Sequence, residues 1–66
     1  MQIRVNNESK EIEKGMSIGK LIDQLELKRQ FVAVELNQEL IPREQHDAHA
    51  LTDGDEVEIV TLVGGG

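Results

Sequence analysis

Polar and apolar residues alternate through Gln2-Ile3-Arg4-Val5-Asn6, the period-two pattern of a half-buried strand. Asn6-Asn7 follows, and asparagine tolerates the left-handed backbone that tight hairpin turns require. Ser9-Lys10-Glu11-Ile12-Glu13 then returns as a short antiparallel partner with Ile12 inward, until Lys14-Gly15 breaks it. The period changes at Ser17, a helix N-cap residue, because Ile18, Leu21, Ile22 and Leu25 stand at i, i+3, i+4 and i+7. That stripe predicts a helix running to about Leu27, with Gly19 an unfavourable choice inside it. Phe31-Val32-Ala33-Val34-Glu35-Leu36 predicts the strongest strand: Glu35 belongs to solvent, which sends Val32, Val34 and Leu36 to the core. Asn37-Gln38 turns the chain, and Glu39-Leu40-Ile41 forms a short strand stopped by Pro42. Residues 43–52 lack periodicity and predict a loop with one helical turn. After the Asp53-Gly54-Asp55 turn, Glu56 to Val63 is the closing strand. The order β-β-α-β-β-β, with one helix across a small sheet, is α+β.

The closing strand departs from alternation. With Glu56 and Glu58 outward, Val57, Ile59, Thr61 and Val63 face inward, and Val60 and Leu62 share the exposed face with the glutamates. Either a neighbouring loop covers these two apolar side chains, or they form a docking patch.

Charge sharpens this picture. The chain has 66 residues, 13 acidic and 7 basic side chains, a net charge of −6 and no cysteine. It is long enough for one small domain, and its balance is a poor match for nucleic acid, which needs a basic face. No apolar run approaches the roughly 20 residues that cross a bilayer. The first residues lack a signal peptide's apolar region, so no membrane is expected as a partner and the expected location is cytoplasmic. Residues 1–43 hold seven acids and seven bases, so the whole excess lies in Glu44, Asp47, Asp53, Asp55, Glu56 and Glu58. Such a surface serves solubility, or steers a basic partner at rates that fall with salt.

Catalytic motifs are weak. Gly15-Met16-Ser17-Ile18-Gly19-Lys20-Leu21 has the look of a phosphate-binding loop, but it is one residue short between the glycines and lacks the hydroxyl residue after lysine. His46 and His49 stand three apart with Asp47 between them, too few ligands for a zinc site, and are expected as exposed loop histidines. Asp53-Gly54-Asp55 lacks the later ligands of a calcium loop, so no metal is expected. Ser9 and Ser17 have no histidine nearby in sequence, and no catalytic residue of the chain's own is expected.

Gly64, Gly65 and Gly66 are the exception. At glycine's usual frequency of roughly 7%, three together arise by chance about 3 times in 10,000. An inert frayed end or an expression scar competes with a functional tip. A terminal carboxylate, with a pKa of about 3.5, is ionised and resists nucleophiles, so an acyl donor must first be activated, most simply as an anhydride with AMP. The activating enzyme must surround the carboxylate, and glycine, lacking Cβ, suits a narrow channel. The expected division is a body of residues 1–63 and a flexible tail of residues 64–66.

The element order, Val32-Ala33-Val34-Glu35-Leu36-Asn37, Ile41-Pro42-Arg43-Glu44, the Leu51 to Val60 segment and the glycine end together span the chain. In these features it resembles the ubiquitin-like β-grasp sulfur carriers, and among them the ThiS family of thiamine biosynthesis. The resemblance implies a ubiquitin-like β-grasp fold with its helix packed across a small mixed sheet. It also implies a non-catalytic co-substrate whose Gly66 is adenylated by an E1-like adenylyltransferase (ThiF-like) using Mg-ATP, the chain itself binding no cofactor. Sulfur from a cysteine desulfurase system then gives a thiocarboxylate, which donates sulfur to thiazole synthase (ThiG-like). Gly64, Gly65 and Gly66 would enter the partner's active site, with Val60, Leu62, Glu56 and Glu58 docking the body. The third glycine departs from the family's usual pair. The competing expectations are a sulfur carrier for molybdopterin synthesis, a ubiquitin-like protein modifier, and a plain interaction module.

Overall fold

The structure is a computed structural model and describes residues 1–62. Strands β1 (Gln2–Val5) and β2 (Glu8–Glu11) form a hairpin, helix α1 (Ile18–Gln24) crosses the sheet, and β3 (Val32–Leu36) and β4 (Glu39–Ile41) form a second hairpin. Strand β5 (Glu56–Thr61) completes a sheet of order β2-β1-β5-β3-β4. The last strand in sequence is thus the middle one in space, parallel to β1 and antiparallel to β3. The α+β class and element order are those the pattern predicts. No helix among the described residues is long and apolar enough to cross a membrane.

Both hairpins turn in two residues with positive φ, Asn6 (50°) and Asn7 (70°) in the first, Asn37 (51°) and Gln38 (72°) in the second. This is the type I′ geometry whose twist matches that of the flanking strands. The leading asparagine of each turn has a second task. Asn6 Oδ1 accepts from the Ile59 amide at 2.8 Å, and its Nδ2 donates to the Ile59 carbonyl at 3.2 Å. Asn37 Oδ1 accepts from the Glu56 amide at 3.0 Å, while its own amide donates to the Glu56 carbonyl at 2.7 Å. The two side chains hold β5 from opposite sides, beyond the reach of the regular ladders.

Helix α1 buries Ile18, Leu21 and Ile22 against Ile3, Val34, Val57 and Ile59, each apolar side chain contributing roughly 1.5–3 kcal/mol. Its first amides are capped from two sources. Ser17 Oγ accepts from Lys20 at 3.1 Å, and the carbonyls of His49 and His46 accept from Ile18 and Gly19 at 3.0 and 2.9 Å. The close approach of the 46–49 segment explains the glycine. A Cβ at Gly19 would overlap Asp47 Oδ1, which Arg29 holds while also pairing with Asp23, with contacts as short as 2.7 Å to each carboxylate.

Several expectations need correction. The helix stops at Gln24 rather than near Leu27, because Glu26 takes a left-handed conformation (φ 61°). The Glu26 amide then donates to Asp23 and the Leu27 amide to Ile22, a Schellman reversal that packs Leu27 against the core. Strand β2 spans Glu8–Glu11 rather than Ser9 to Glu13, although Ile12 is buried as expected. A 3-10 turn at Arg29–Phe31 delays β3 until Val32. Thr61, expected inward, is exposed where β5 outruns the core, and Val63 lies outside the described residues. His46, expected on the surface, is only 2% exposed: its Nε2 lies 3.0 Å from the Ile41 carbonyl, tying the end of β4 to the segment that caps the helix.

Glu26 sets a test of this frame. A non-glycine residue in the left-handed region costs about 1–2 kcal/mol, partly offset by glycine's greater unfolded entropy. Glu26→Gly is therefore expected to raise Tm by about 2–8 °C in thermal denaturation, and a fall in Tm would show that the Glu26 side chain supports the reversal.

Candidate functional site

The helix covers one face of the sheet and leaves the other open. On that open face β5 presents Glu56, Glu58 and Val60, all exposed, as the alternation predicts. Among the described residues no loop covers the apolar pair: Val60 is 54% and Leu62 53% exposed. Strand register places Ala33 opposite Val60 and Glu35 opposite Glu58. Two like charges facing each other across a ladder destabilise a sheet, and here they border the exposed apolar positions. Arg4 stands beside Glu56 on β1, and an open groove of about 220 Å³ runs between Arg4, Glu35, Gln38, Glu56 and Glu58.

Two further large apolar side chains are exposed and were missed by sequence reasoning, Phe31 (46%) and Leu40 (65%). Leu40 was legible, since Ile41 turns inward and strand neighbours oppose each other. Phe31 was legible in the same way, since it shares the parity of outward-facing Glu35; what alternation does not announce is the 3-10 turn that delays the strand to Val32. The Phe31 carbonyl accepts from the Leu62 amide, so these two residues extend the β3–β5 ladder to the last described position.

The entry to β5 is secured by Asp55, which is buried. Its carboxylate accepts from the Thr52 amide at 2.8 Å, the Thr52 hydroxyl at 3.1 Å and Asn37 Nδ2 at 3.1 Å. Burial pushes this carboxyl's pKa up, but the Thr52 amide, Asn37, the Thr52 hydroxyl and the charge of His49 together outweigh it and hold it below the ordinary value. The strand that bears the exposed patch is thereby fixed at its start.

Other candidates dissolve into structure. Met16 and Ile18 of the glycine-flanked segment are core residues, which leaves no phosphate cradle there. Among the described residues no three His, Cys, Asp or Glu side chains are grouped to hold a metal ion. Gly64, Gly65 and Gly66 lie outside the described residues.

The ThiS family model matches residues 3–66. The chain belongs to the ThiS family. It is 32% identical to the sulfur carrier protein ThiS of Escherichia coli, over 100% of both chains. The crystal structure of ThiS from Geobacter metallireducens superposes with a TM-score of 0.86 at 33% identity, again over 100% of each chain. This gives the sheet and helix described above their name, the ubiquitin-like β-grasp of ThiS proteins. A thiazole synthase of Paramagnetospirillum magneticum is 35% identical over all 66 residues, which make up 20% of that protein.

Two outcomes are expected of this ThiS-family surface. Because the folded Asp55 carboxyl lies below the unfolded value of about 3.9, the unfolded chain binds more protons between the two values. Its stabilisation is complete above that range and is lost as pH falls through the folded value. Urea denaturation from pH 6 to 2 should show this acid slope, and Asp55→Asn should flatten it while lowering stability at pH 6 by about 1–3 kcal/mol. An unchanged slope would assign the acid sensitivity to other carboxylates. Separately, Glu58→Gln should relieve the clash with Glu35 and stabilise the fold by about 0.2–1 kcal/mol, whereas a loss of stability would mean the glutamate is favourably paired.

Proposed function

We propose that this chain carries sulfur as a thiocarboxylate on Gly66. The coarser part of the reading, a sulfur carrier of thiamine biosynthesis rather than a catalyst, is supported by family membership and by the end-to-end match to the E. coli carrier. The observation that carries the finer part is that the family match runs through the glycine end to residue 66. In this reading the Gly66 carboxylate attacks the α-phosphate of Mg-ATP in an E1-like adenylyltransferase, expelling pyrophosphate. A persulfide from a cysteine desulfurase system then displaces AMP to give an acyl disulfide, and attack by a thiol on its outer sulfur releases the thiocarboxylate and forms a disulfide. Mg-ATP belongs to the activating enzyme, and this chain supplies only the acyl group and the surface that delivers it.

Thiazole synthase is the acceptor in this proposal. Its support is that a protein of that name in P. magneticum contains a stretch similar to the whole of this chain. The body, residues 1–63, docks through Val60 and Leu62, with Glu56 and Glu58 meeting basic groups at the rim. Gly64, Gly65 and Gly66 thread to the reacting atoms, and the cytosol holds the ATP that the cycle uses. Ordering the three glycines costs roughly 1–2 kcal/mol each, which the docking surface must offset.

Incubation with the adenylyltransferase, ATP and a sulfur source should add the mass of one sulfur less one oxygen, and deletion of Gly66 should abolish it. Lysine-linked adducts would favour a protein modifier, productive exchange with molybdopterin-pathway enzymes would move the carrier to that pathway, and no modification would favour a plain interaction module. A Val60→Ser/Leu62→Ser double variant should keep its Tm and bind the adenylyltransferase about tenfold more weakly. Unaltered affinity would remove the patch from the proposal.

A further inference from the structure

Among the described residues the large exposed apolar side chains are Phe31, Leu40, Val60 and Leu62, and they are unequally placed relative to the end of β5. Val60 and Leu62 close β5, and Phe31 is bound to Leu62 through the backbone. Leu40 pairs with Glu35, four residues further along the neighbouring strand, or about 13 Å away at the usual rise of a strand. Phe31 is also the chain's single aromatic residue, and a half-exposed phenyl ring is a costly thing to leave in water.

Covalent reach restricts what can cover it. Four residues, Val63 to Gly66, separate Leu62 from the chain's last carbonyl, and at 3.3–3.6 Å each they span at most about 14 Å. An enzyme that encloses both this carboxylate and ATP holds the reacting carbon well below its own surface. Its surface must therefore come closer to Leu62 than that limit. An interface of ordinary size, about 800 Å² on each partner, extends some 16 Å from its centre, so one centred on the root of the tail holds the Phe31–Leu62 step near its middle and reaches Leu40 only at its rim.

We infer that Phe31 is an aromatic anchor that seats in an apolar pocket at the mouth of the adenylating enzyme's channel, fixing the root of the tail so that Gly66 arrives in register with the α-phosphate. The inference rests on the reading of Gly66 as the activated residue. It goes beyond it by assigning a residue outside β5, and by separating Phe31 from the equally apolar Leu40. Aromatic side chains at the centre of interfaces dominate binding, and the flanking Glu58 and Glu35 favour a basic rim around that pocket.

The test is ATP–pyrophosphate exchange catalysed by the E1-like adenylyltransferase, with the full chain as variable substrate and Tm recorded for each variant. Phe31→Ala is expected to raise KM about tenfold or more with kcat changed less than threefold. Phe31→Leu should recover most of the loss, and Leu40→Ala should stay within twofold of the parent chain. An unchanged KM for Phe31→Ala overturns the anchor, as does an equal loss in Leu40→Ala, which would mean a diffuse apolar contact. Normal exchange by Phe31→Ala with impaired sulfur transfer to thiazole synthase would also overturn it, since the pocket would then belong to the acceptor. If the parent chain supports no exchange, the Gly66 reading fails and the anchor with it. Exchange by the parent chain with indifferent variants removes the anchor alone.

Discussion

The structure depends on the insertion of β5 between β1 and β3. Those two strands come from different hairpins and meet only through this last segment of the chain. Both flanking hairpins are local and inexpensive to close, but the sheet that joins them requires contacts across some fifty residues. Asn6 and Asn37 make that insertion specific. The Asn6 side-chain amide matches the carbonyl and amide of Ile59, while that of Asn37 accepts from the Glu56 amide and donates to the Asp55 carboxylate, so the turn geometry and the strand register are set together. A slip of one residue would leave these polar groups unpaired and send Val57 and Ile59 to the wrong face.

The same insertion joins stability to delivery. Because β5 is central, its start is braced on both sides, by β1 at Glu56 and Val57 and by β3 from Val57 onward, while Val60 and Thr61 pair with β3. The sheet face it displays carries two features that stability alone would not select, the Glu35–Glu58 opposition and the bare Val60 and Leu62. Residues that break local rules without a structural return mark surfaces shaped by another requirement. Under the proposed function that requirement is recognition by the partner enzymes.

The 43–52 segment shows how much a stretch without periodicity can do. It caps helix α1 through the His46 and His49 carbonyls, fills the core with the His46 ring and Leu51, and supplies Thr52 to hold Asp55. It turns on itself through a 3-10 turn at Arg43–Gln45 and through the Ala48 and His49 amides, which donate to the Gln45 carbonyl, while the His46 and His49 carbonyls and the Leu51 amide bind the backbone of neighbouring segments.

Alternation and the helical stripe were enough to place Val32, Val34, Leu36, Val57 and Ile59 inside, to leave Val60 and Leu62 outside, and to identify Ser17 as a cap. These properties follow from the two- and 3.6-residue periods, which are local and survive in a bare string of residues. The resemblance to sulfur carriers was likewise legible, because its motifs are contiguous. What the string alone did not contain was any consequence of distant segments meeting. The burial of His46 and the need for glycine at position 19 each arise where one element's backbone or side chains lie against another. Local pattern determines which face a residue prefers; only the packed fold decides what waits on that face.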